Sequence, residues 1–269
     1  MIDGGAEQTG YSHDLVDRLR RARHVAVLTG AGVSAASGIP TFRDKLVGLW
    51  ENFDPEELAT PAAFRRDPSL VWGWYEWRRM LVLRAQPNAA HRALAALADR
   101  VPQLTLITQN VDDLHERAGS HGVVHLHGRL DAPYCEACRR PFVFAAGIPD
   151  VPPGGARIQR PRCDHCGGAI RPGVVWFGEN LPAESWRAAA DAAQHCDAFL
   201  CIGTSSIVQP AASLTEMATR HGAMTVQINP NSTPADGLVT FALKGPAAKI
   251  LPELLDAVWG PAGAEASAT

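Results

Sequence analysis

The sequence lacks the features that would mark a membrane protein or a nucleic-acid-binding protein. No run of apolar residues reaches the roughly 18 that a membrane-spanning helix needs. The formal net charge is −3, so there is no overall positive surface for nucleic acid or an anionic membrane. The opening residues, MIDGGAEQTGYSHD, do not place an apolar segment after a basic one, as a secretory signal would. We therefore expect a cytoplasmic protein with no nucleic-acid or membrane partner.

Lysine and cysteine are both scarce, and the placement of the cysteines is informative. Arginine supplies almost all of the positive charge, while hydrophobic residues make up 46% of the chain, enough for a sizeable core. Four of the six cysteines form two C-x-x-C pairs, Cys135 with Cys138 and Cys163 with Cys166. In a cytosolic chain such pairs indicate metal binding rather than disulfides.

Short apolar runs that end in glycine or polar residues alternate with helical patterns. The runs are nearly continuous in apolar residues, as strands buried on both faces should be, and they cover residues 24–30, 103–110, 198–204 and 223–229. Residues 91–100 and 210–220 have helical periodicity. The alternation predicts an α/β fold in which a parallel sheet carries helices on both faces.

Two segments interrupt this alternation. Residues 45–88 are rich in Trp, Arg and Pro and have a helical pattern, and residues 131–173 hold the paired cysteines among many Pro and Gly. We predict that both are insertions into a sheet domain, and we expect disordered tails. The predicted sheet domain comprises residues 13–44, 89–130 and 174–258, and the tails are residues 1–12 and 259–269.

A glycine-rich turn, LTGAGVSAASGIPTFRD, follows the first predicted strand. Gly30-x-Gly32-x-x-Ala35 matches the dinucleotide-binding pattern, in which small residues permit a tight turn and close approach of a pyrophosphate. Ser34 could cap the following helix or bind a phosphate. The acidic residue expected about 20 positions later is not evident, so a purely structural glycine turn is an equal alternative for this pattern alone.

Several motifs together resemble those of one family. GAGVSAASGIPTFR, TQNVDDLHERAG, HLHG, the two cysteine pairs, GVVWFGE, GTSS and INP occur in the order found in sirtuins, which are NAD-dependent protein lysine deacylases. The resemblance covers about residues 24–254 and is greatest for bacterial members of the desuccinylase-type branch. It implies a Rossmann-like domain and a small module made from a helical and a zinc-binding insertion. Ala36 departs from the Glu of many members, and its effect stays open.

The resemblance implies that NAD is a consumed co-substrate bound at the ends of the strands. Asn110 and Asp112 would lie at the nicotinamide ribose and its pocket, and Gln109 would bind ribose, although Asn and Asp also commonly cap helices. The implied cofactor-binding residues are Gly30, Ala31, Gly32, Ser34, Ala35, Phe42, Arg43, Gln109, Asn110, Asp112, Gly203, Thr204, Ser205, Asn229 and Ala247.

Two histidines compete for the role of general base. His125 and His127 share one side of a strand, so spacing alone does not choose between them. In sirtuins the catalytic histidine directly precedes a glycine, which implies His127 before Gly128, with Asn110 and Asp112 as the other catalytic residues. Imidazole suits a general base because its ordinary pKa is about 6.5. His125 then has a packing or supporting role, and we expect Gly128 to leave room for ligand.

The implied reaction transfers the acyl group of a modified lysine to NAD, which yields nicotinamide and O-acyl-ADP-ribose. The alternatives are an enzyme that is mainly a deacetylase, a mono-ADP-ribosyltransferase, or a binding protein without turnover. A dehydrogenase is disfavoured because the sequence has no recognisable site for a hydride acceptor.

The cysteine pairs predict one structural zinc. They are separated by 24 residues, which is longer than the usual ribbon spacing. Two C-x-x-C turns can complete a tetrahedral site that leaves no position open for substrate. His165 is a further candidate ligand, and buried free thiols are the alternative. The predicted metal ligands are Cys135, Cys138, Cys163 and Cys166.

A predicted helix over residues 70–82 carries Tyr75 and Arg78 on one face, beside an apolar stripe. No acidic residue lies three or four positions from Arg78 in the sequence. Its side chain could simply extend over a tryptophan. The Tyr-x-x-Arg pair also matches the acyl-pocket signature of desuccinylase-type sirtuins. That resemblance implies a preference for succinyl- or malonyl-lysine, since arginine binds carboxylates through paired hydrogen bonds.

The segment GVVWFGE, residues 173–179, is predicted to be an edge strand. In the family this segment pairs with the substrate backbone, so the expected partners are acyl-lysine proteins or peptides bound as an added β-strand. The implied substrate-binding residues are Tyr75, Arg78, Val175, Phe177, Gly178 and Glu179.

Overall fold

A computed structural model describes residues 10–41, 54–152 and 155–261. Phe42, Arg43 and most of both predicted tails lie outside the described residues. The centre of the fold is a six-stranded, all-parallel sheet with the strand order β3-β2-β1-β6-β7-β8. The predicted α/β class is therefore confirmed. The strands are β1 (His24–Thr29), β2 (Gln103–Thr108), β3 (Val124–His125), β6 (Ala198–Ile202), β7 (Met224–Asn229) and β8 (Phe241–Lys244).

The four predicted strands are all present, and β8 was missed. Half-buried positions of β8 alternate with exposed ones, so this strand lacks the long apolar run of a strand buried on both faces. It lies at an edge of the sheet, where one strand face can contact water.

The helices are listed here in chain order. They are α1 (His13–Arg21), α2 (Pro55–Leu58), α3 (Pro61–Arg66), α4 (Pro68–Arg84), α5 (Ala89–Leu97), α6 (Leu114–Arg117), α7 (Ala183–His195), α8 (Ser213–Arg220) and α9 (Ala247–Trp259). Among the described residues, no helix is both long enough and apolar enough to cross a membrane.

Helices cover both faces of the sheet, because successive strand residues point to opposite sides. Val25 and Val27 of β1 pack in a core with α1, α5 and α9. Ala26 and Leu28 pack in a second core with α7 and α8. Each fully buried Val or Leu side chain contributes about 1.5–3 kcal/mol, so these two layers supply most of the apolar burial of the sheet.

A third core lies around α4, which extends the predicted helix 70–82 in both directions. Pro68 occupies its first turn, and the Asp67 carboxylate caps it by accepting a hydrogen bond from the Leu70 amide at 3.1 Å. Trp74 on this helix is buried in the core. The same core contains Phe64 and Trp176, whose ring centroids are 5.0 Å from each other. Together with α3, helix α4 therefore forms an apolar core that is separate from the two cores on the faces of the sheet.

The cysteine-containing segment packs on the opposite side of α4. Trp72 shares a core with Cys135 and Cys163. A short antiparallel ladder joins β4 (Tyr134–Cys135) to β5 (Ile170–Arg171). At Gly73 a Cβ atom would lie 2.0 Å from the carbonyl oxygen of Ala156, so the segment contacts the helix where the helix has no side chain. We propose on this basis the division into a sheet domain and two insertions.

Candidate functional site

Two loops cross at the point where the strand order reverses. The loops follow β1 and β6, and parallel sheets bind ligands in the crevice at such a reversal. The Gly32 amide donates a 2.8 Å hydrogen bond to the Gly203 carbonyl, and a Cβ at Gly32 would lie 2.7 Å from that oxygen. A Cβ at Gly30 would lie 2.8 Å from the Cα of Thr204. The glycines are therefore required by the approach of the two loops, and not only by a pyrophosphate as the pattern suggests.

The chain after Gly30 differs from the pattern, because no α-helix begins there. Two 3₁₀ turns, Ala31–Val33 and Ala35–Ser37, are followed by Gly38 with φ of +81°, which ends them. Ser34 lies between the turns and makes no capping hydrogen bond. Of the two alternatives for Ser34, a helix cap or a phosphate ligand, the structure excludes the helix cap.

Ser34 instead links three predicted site residues. Its hydroxyl donates to Asp112 Oδ2 at 3.0 Å and accepts from Asn110 Nδ2 at 3.2 Å. All three side chains are buried. Burial raises the pKa of Asp112, and hydrogen bonds from the Leu114 amide and Ser34 oppose that effect. The structure thus brings one serine, one amide and one carboxylate together below the crevice.

A second polar group joins the ends of β2, β6 and β7. Gln109 donates from Nε2 to the Thr204 hydroxyl at 2.9 Å, and Asn229 donates from Nδ2 to the Thr204 carbonyl at 2.8 Å. Ser205 follows on the same loop and is half-buried. The methyl group of Ala247 lies in the core beneath the first turn of α9, so only its backbone could meet an adenine.

His127 lies beside this group and has a defined tautomer. Its Nδ1 atom is 3.0 Å from the Gln109 carbonyl oxygen, which can only accept, so Nδ1 carries the proton. Nε2 therefore keeps a free lone pair. Burial lowers the pKa of His127, and the bond to Gln109 opposes this effect. The ring is consequently a neutral base near neutral pH.

Gly128 does not leave room for a ligand, which corrects the expectation from the sequence. Its φ is +74°, and a Cβ there would lie 2.2 Å from the Gly173 carbonyl oxygen. Gly128 also forms an isolated antiparallel bridge with Val174. The missing side chain makes room for the 173–179 segment, which lies directly beside His127.

The 173–179 segment is not an edge strand. The Val175 amide donates to the His127 carbonyl at 2.8 Å, but the chain then turns at Gly178, where φ is +86°. The turn is held by Glu179, whose carboxylate accepts from the Trp176 amide at 2.9 Å and forms a two-point ion pair with Arg171. Glu179 is therefore occupied by internal contacts, whereas Phe177 remains 40% exposed.

Tyr75 and Arg78 lie near one another beneath this segment. Trp176 donates from its indole nitrogen to the Tyr75 hydroxyl at 2.9 Å. Burial raises the pKa of Tyr75 to about 12, so the phenol keeps its proton. The half-buried Arg78 guanidinium is 5.0 Å from the centre of the Trp74 ring. Burial lowers the pKa of Arg78, while the nearby Tyr75 and Asp112 favour its charged form.

The four paired cysteines meet as predicted. Their sulfur atoms all lie within 4.8 Å of one another, with Cys135–Cys166 and Cys138–Cys163 separations of 3.5 and 3.7 Å. Tetrahedral zinc with Zn–S bonds of about 2.3 Å places its sulfurs about 3.8 Å apart, so this set fits a Cys₄ zinc. His165 is exposed and lies outside the cluster.

Comparison with known proteins identifies the family of this chain. A model of the Sir2 family matches residues 30–210, which is more than half of the chain. This protein belongs to the Sir2 family. The sirtuin resemblance of its motifs is thereby confirmed.

Relatives in several bacteria are similar to this Sir2 protein over nearly the whole chain. An NAD-dependent protein deacylase of Methylococcus capsulatus is 58% identical over 248 residues, covering 92% of this chain and 97% of its own. The NAD-dependent protein deacylase of Mycobacterium tuberculosis is 49% identical over 232 residues, covering 86% and 96%.

Solved structures of the family share the fold. A Sir2 homologue in complex with NAD aligns with a TM-score of 0.84 at 44% identity, covering 96% of both chains. A Sir2–p53 peptide–NAD+ complex aligns with a TM-score of 0.78 at 31% identity, covering 91% of this chain and 97% of the other.

Two buried histidines of this Sir2 protein were missed by sequence reasoning. His91 and His115 stack edge to face with centroids 4.9 Å apart, and burial lowers their pKa values to about 4 and about 3. His91 Nε2 is 3.4 Å from the Ser34 hydroxyl, and His115 Nε2 is 2.9 Å from that of Thr29. One signal was available, since His91 stands three residues after the helix cap Asn88, where a side chain can bond back to the cap.

Proposed function

We propose that this protein removes acyl groups from protein lysine side chains at the expense of NAD, favouring succinyl and malonyl over acetyl. One water is consumed, and the products are free lysine, nicotinamide and O-acyl-ADP-ribose. The observation that carries the proposal is the position of His127, a neutral base in the crevice where Gln109, Asn110 and Asp112 meet. NAD contributes a glycosidic bond whose cleavage releases nicotinamide and exposes the ribose carbon to attack.

His127 acts as the general base. The Gln109 carbonyl holds the Nδ1 proton, so the Nε2 lone pair accepts a proton from a ribose hydroxyl of the bound co-substrate. Asn110 and Asp112 hold the nicotinamide ribose, because their amide and carboxylate are fixed by Ser34 and do not have to reorganise when ligand binds. Gln109, Thr204 and Asn229 line the adjoining part of the crevice.

Tyr75 and Arg78 select the acyl group. A phenol has a single proton, and Tyr75 already accepts a hydrogen bond from Trp176, so its own O–H is directed towards another acceptor. Arg78 adds a positive charge in a partly buried setting, where a carboxylate forms charge-assisted hydrogen bonds. A succinyl or malonyl tail supplies that carboxylate, whereas an acetyl group supplies no charge.

The modified peptide binds along residues 173–179. The Val175 and Phe177 amides donate to His127 and Ala59, so the incoming peptide meets other backbone groups of this segment. Its position beside His127 brings the acyl-lysine towards the base. The Sir2–p53 peptide–NAD+ neighbour supports binding of a peptide together with NAD.

The test uses three peptides that differ only in a succinyl, malonyl or acetyl group on one lysine. Each is incubated with NAD, and mass spectrometry follows free lysine peptide and acylated ADP-ribose. We expect succinyl and malonyl to be removed at least about tenfold faster than acetyl, the difference that about one charged hydrogen bond makes. A His127→Ala variant is the control and should release neither product.

Other outcomes distinguish the alternatives. Rapid acetyl removal with no succinyl removal would indicate a deacetylase and would overturn the acyl preference. Transfer of labelled ADP-ribose to protein without free lysine would indicate a mono-ADP-ribosyltransferase. Binding of NAD with no nicotinamide released from any of these peptides would indicate a protein without turnover.

A further inference from the structure

His125 lies on the same side of the chain as His127 but is buried and has two hydrogen-bond partners. It belongs to β3, which pairs in parallel with the end of β2 at Thr108. Its Nδ1 atom is 3.2 Å from the Asn110 carbonyl oxygen, and its Nε2 atom is 2.7 Å from Glu116 Oε1. Both ring nitrogens are thus held by oxygen atoms.

Both partners of His125 are acceptors. A backbone carbonyl has no proton to give, and Glu116 Oε1 also accepts from Arg129 Nη1 at 2.9 Å. Burial alone raises the pKa of Glu116, but its bond with His125 and the charge of Arg129 hold that pKa below the ordinary value. A neutral imidazole has one N–H and could satisfy only one of these two oxygens.

We propose that His125 carries both ring protons and is a positioning residue, fixing the Asn110 carbonyl and with it the polar loop beneath the NAD crevice. This inference rests on the proposed function for the role of Asn110. Two histidines two positions apart would then hold two consecutive carbonyls, Gln109 through His127 and Asn110 through His125. His127 needs one ring proton and keeps a lone pair for chemistry, whereas His125 needs two ring protons.

The charges around His125 are compatible with an imidazolium. Glu116 faces its Nε2 atom, and Arg129, whose guanidinium is also paired with Asp131, lies beyond that carboxylate. On the loop side, burial raises the pKa of Asp112 and a charge on His125 opposes that effect, whereas for His115 the same charge adds to the burial that lowers the pKa. A cation at position 125 is therefore in direct contact with the Glu116 carboxylate.

Nitrogen-15 NMR of the full chain with labelled histidine tests the proton count. We expect the His125 ring to show two protonated nitrogens, and these signals should vanish in His125→Gln. A neutral ring at this position would overturn the proposal. His24→Gln is the matched control, because the His24 ring bonds to the Thr105 hydroxyl and lies at the opposite end of the same sheet.

A second NMR readout reports the contact with Asn110. The Val111 amide shares a peptide group with the Asn110 carbonyl, so its chemical shift should change in His125→Gln and not in His24→Gln. In Glu116→Gln the amide can turn its NH₂ towards Nε2, so His125 should lose one N–H signal while the Val111 shift is retained. This variant also keeps the proposal testable if His125→Gln does not fold.

Kinetics test the positioning role. For His125→Gln we expect the kcat of nicotinamide release to fall about tenfold or more, since small displacements of reacting groups have such effects. The KM for peptide should change less than about twofold, because His125 lies away from the acyl pocket. Unchanged kcat in a variant with an altered Val111 shift would overturn the role. Absence of deacylation by the wild-type chain would instead overturn the proposed function. The two NMR measurements do not depend on activity, so they would still show whether His125 carries two ring protons.

Discussion

The indole N–H of Trp176 donates a 2.9 Å hydrogen bond to the hydroxyl of Tyr75. The two residues belong to different parts of the site, since Trp176 lies in the proposed peptide-binding segment and Tyr75 on α4 in the proposed acyl pocket. Arg171 packs over the Trp176 ring at 3.7 Å and pairs with Glu179, which fixes the indole in place. The orientation of the tyrosine proton is therefore set by the segment that receives the peptide.

Replacing Trp176 with Phe should weaken recognition of acidic acyl groups. The change removes the N–H and keeps an aromatic ring under Arg171. We expect kcat/KM for a succinyl peptide to fall about three- to tenfold, the contribution of about one net hydrogen bond, with little change for an acetyl peptide. Trp186→Phe is the control, because Trp186 packs on α7 against the far core. Equal losses for both acyl groups would mean that Trp176 does not act through Tyr75.

Replacing Arg78 with Met should reduce desuccinylation by between about ten- and a hundredfold, as expected for loss of a charged hydrogen-bond donor. Deacetylation should persist, since a neutral acyl group makes no use of the charge. Arg79→Met provides the matched comparison, because Arg79 is the next residue of α4 but pairs with Glu76 and covers the Phe144 ring. If succinyl removal survives in Arg78→Met, the proposed acyl pocket is wrong.

The rate of deacylation should depend on pH through His127. Burial lowers the pKa of this base, so its active, neutral form persists below the ordinary imidazole pKa of about 6.5. Activity should be constant through neutral pH and fall as pH drops through the lowered pKa. This acidic fall in activity is measured by following kcat/KM for the succinyl peptide as a function of pH. An acidic limb centred above about 6.5 would contradict the assigned environment of the ring.

Zinc binding should depend on the four clustered cysteines and contribute to stability. Cys135→Ser should abolish binding of one zinc per chain, measured by elemental analysis, and lower the free energy of unfolding by on the order of several kcal/mol. Tryptophan fluorescence should also change when zinc is lost, because Trp72 packs against Cys135 and Cys163. Cys196→Ser is the control, since Cys196 is buried beside α7, far from the cluster. Full zinc content in Cys135→Ser would exclude a Cys₄ site.

The parts of the fold that were predictable from sequence are those determined by local pattern. The strands β1, β6 and β7 are buried along almost their whole length, and β2 is buried at its carboxyl end, which favours nearly continuous apolar runs. The cysteine pairs meet because their spacing and turn residues suit one metal. The helix over residues 70–82 followed from its apolar period.

The features that sequence reasoning missed depend on contacts between distant residues. The strand expected over residues 173–179 is replaced by a turn at Gly178 that the Arg171–Glu179 ion pair holds, and the local sequence does not reveal this contact. Gly128 and Gly32 were assigned to ligand approach, but their Cα atoms face the backbone of Gly173 and Gly203. Glycine signals close approach without identifying what approaches.

The contact between Gly128 and Gly173 has a consequence for how specificity can change in this family member. The proposed base and the proposed peptide-binding segment meet through main chain, at a place where neither Gly128 nor Gly173 has a side chain. The distance between them is thus independent of which side chains surround it. Substitutions at Phe177 or in the proposed acyl pocket can therefore leave the spacing between the imidazole and this segment unchanged.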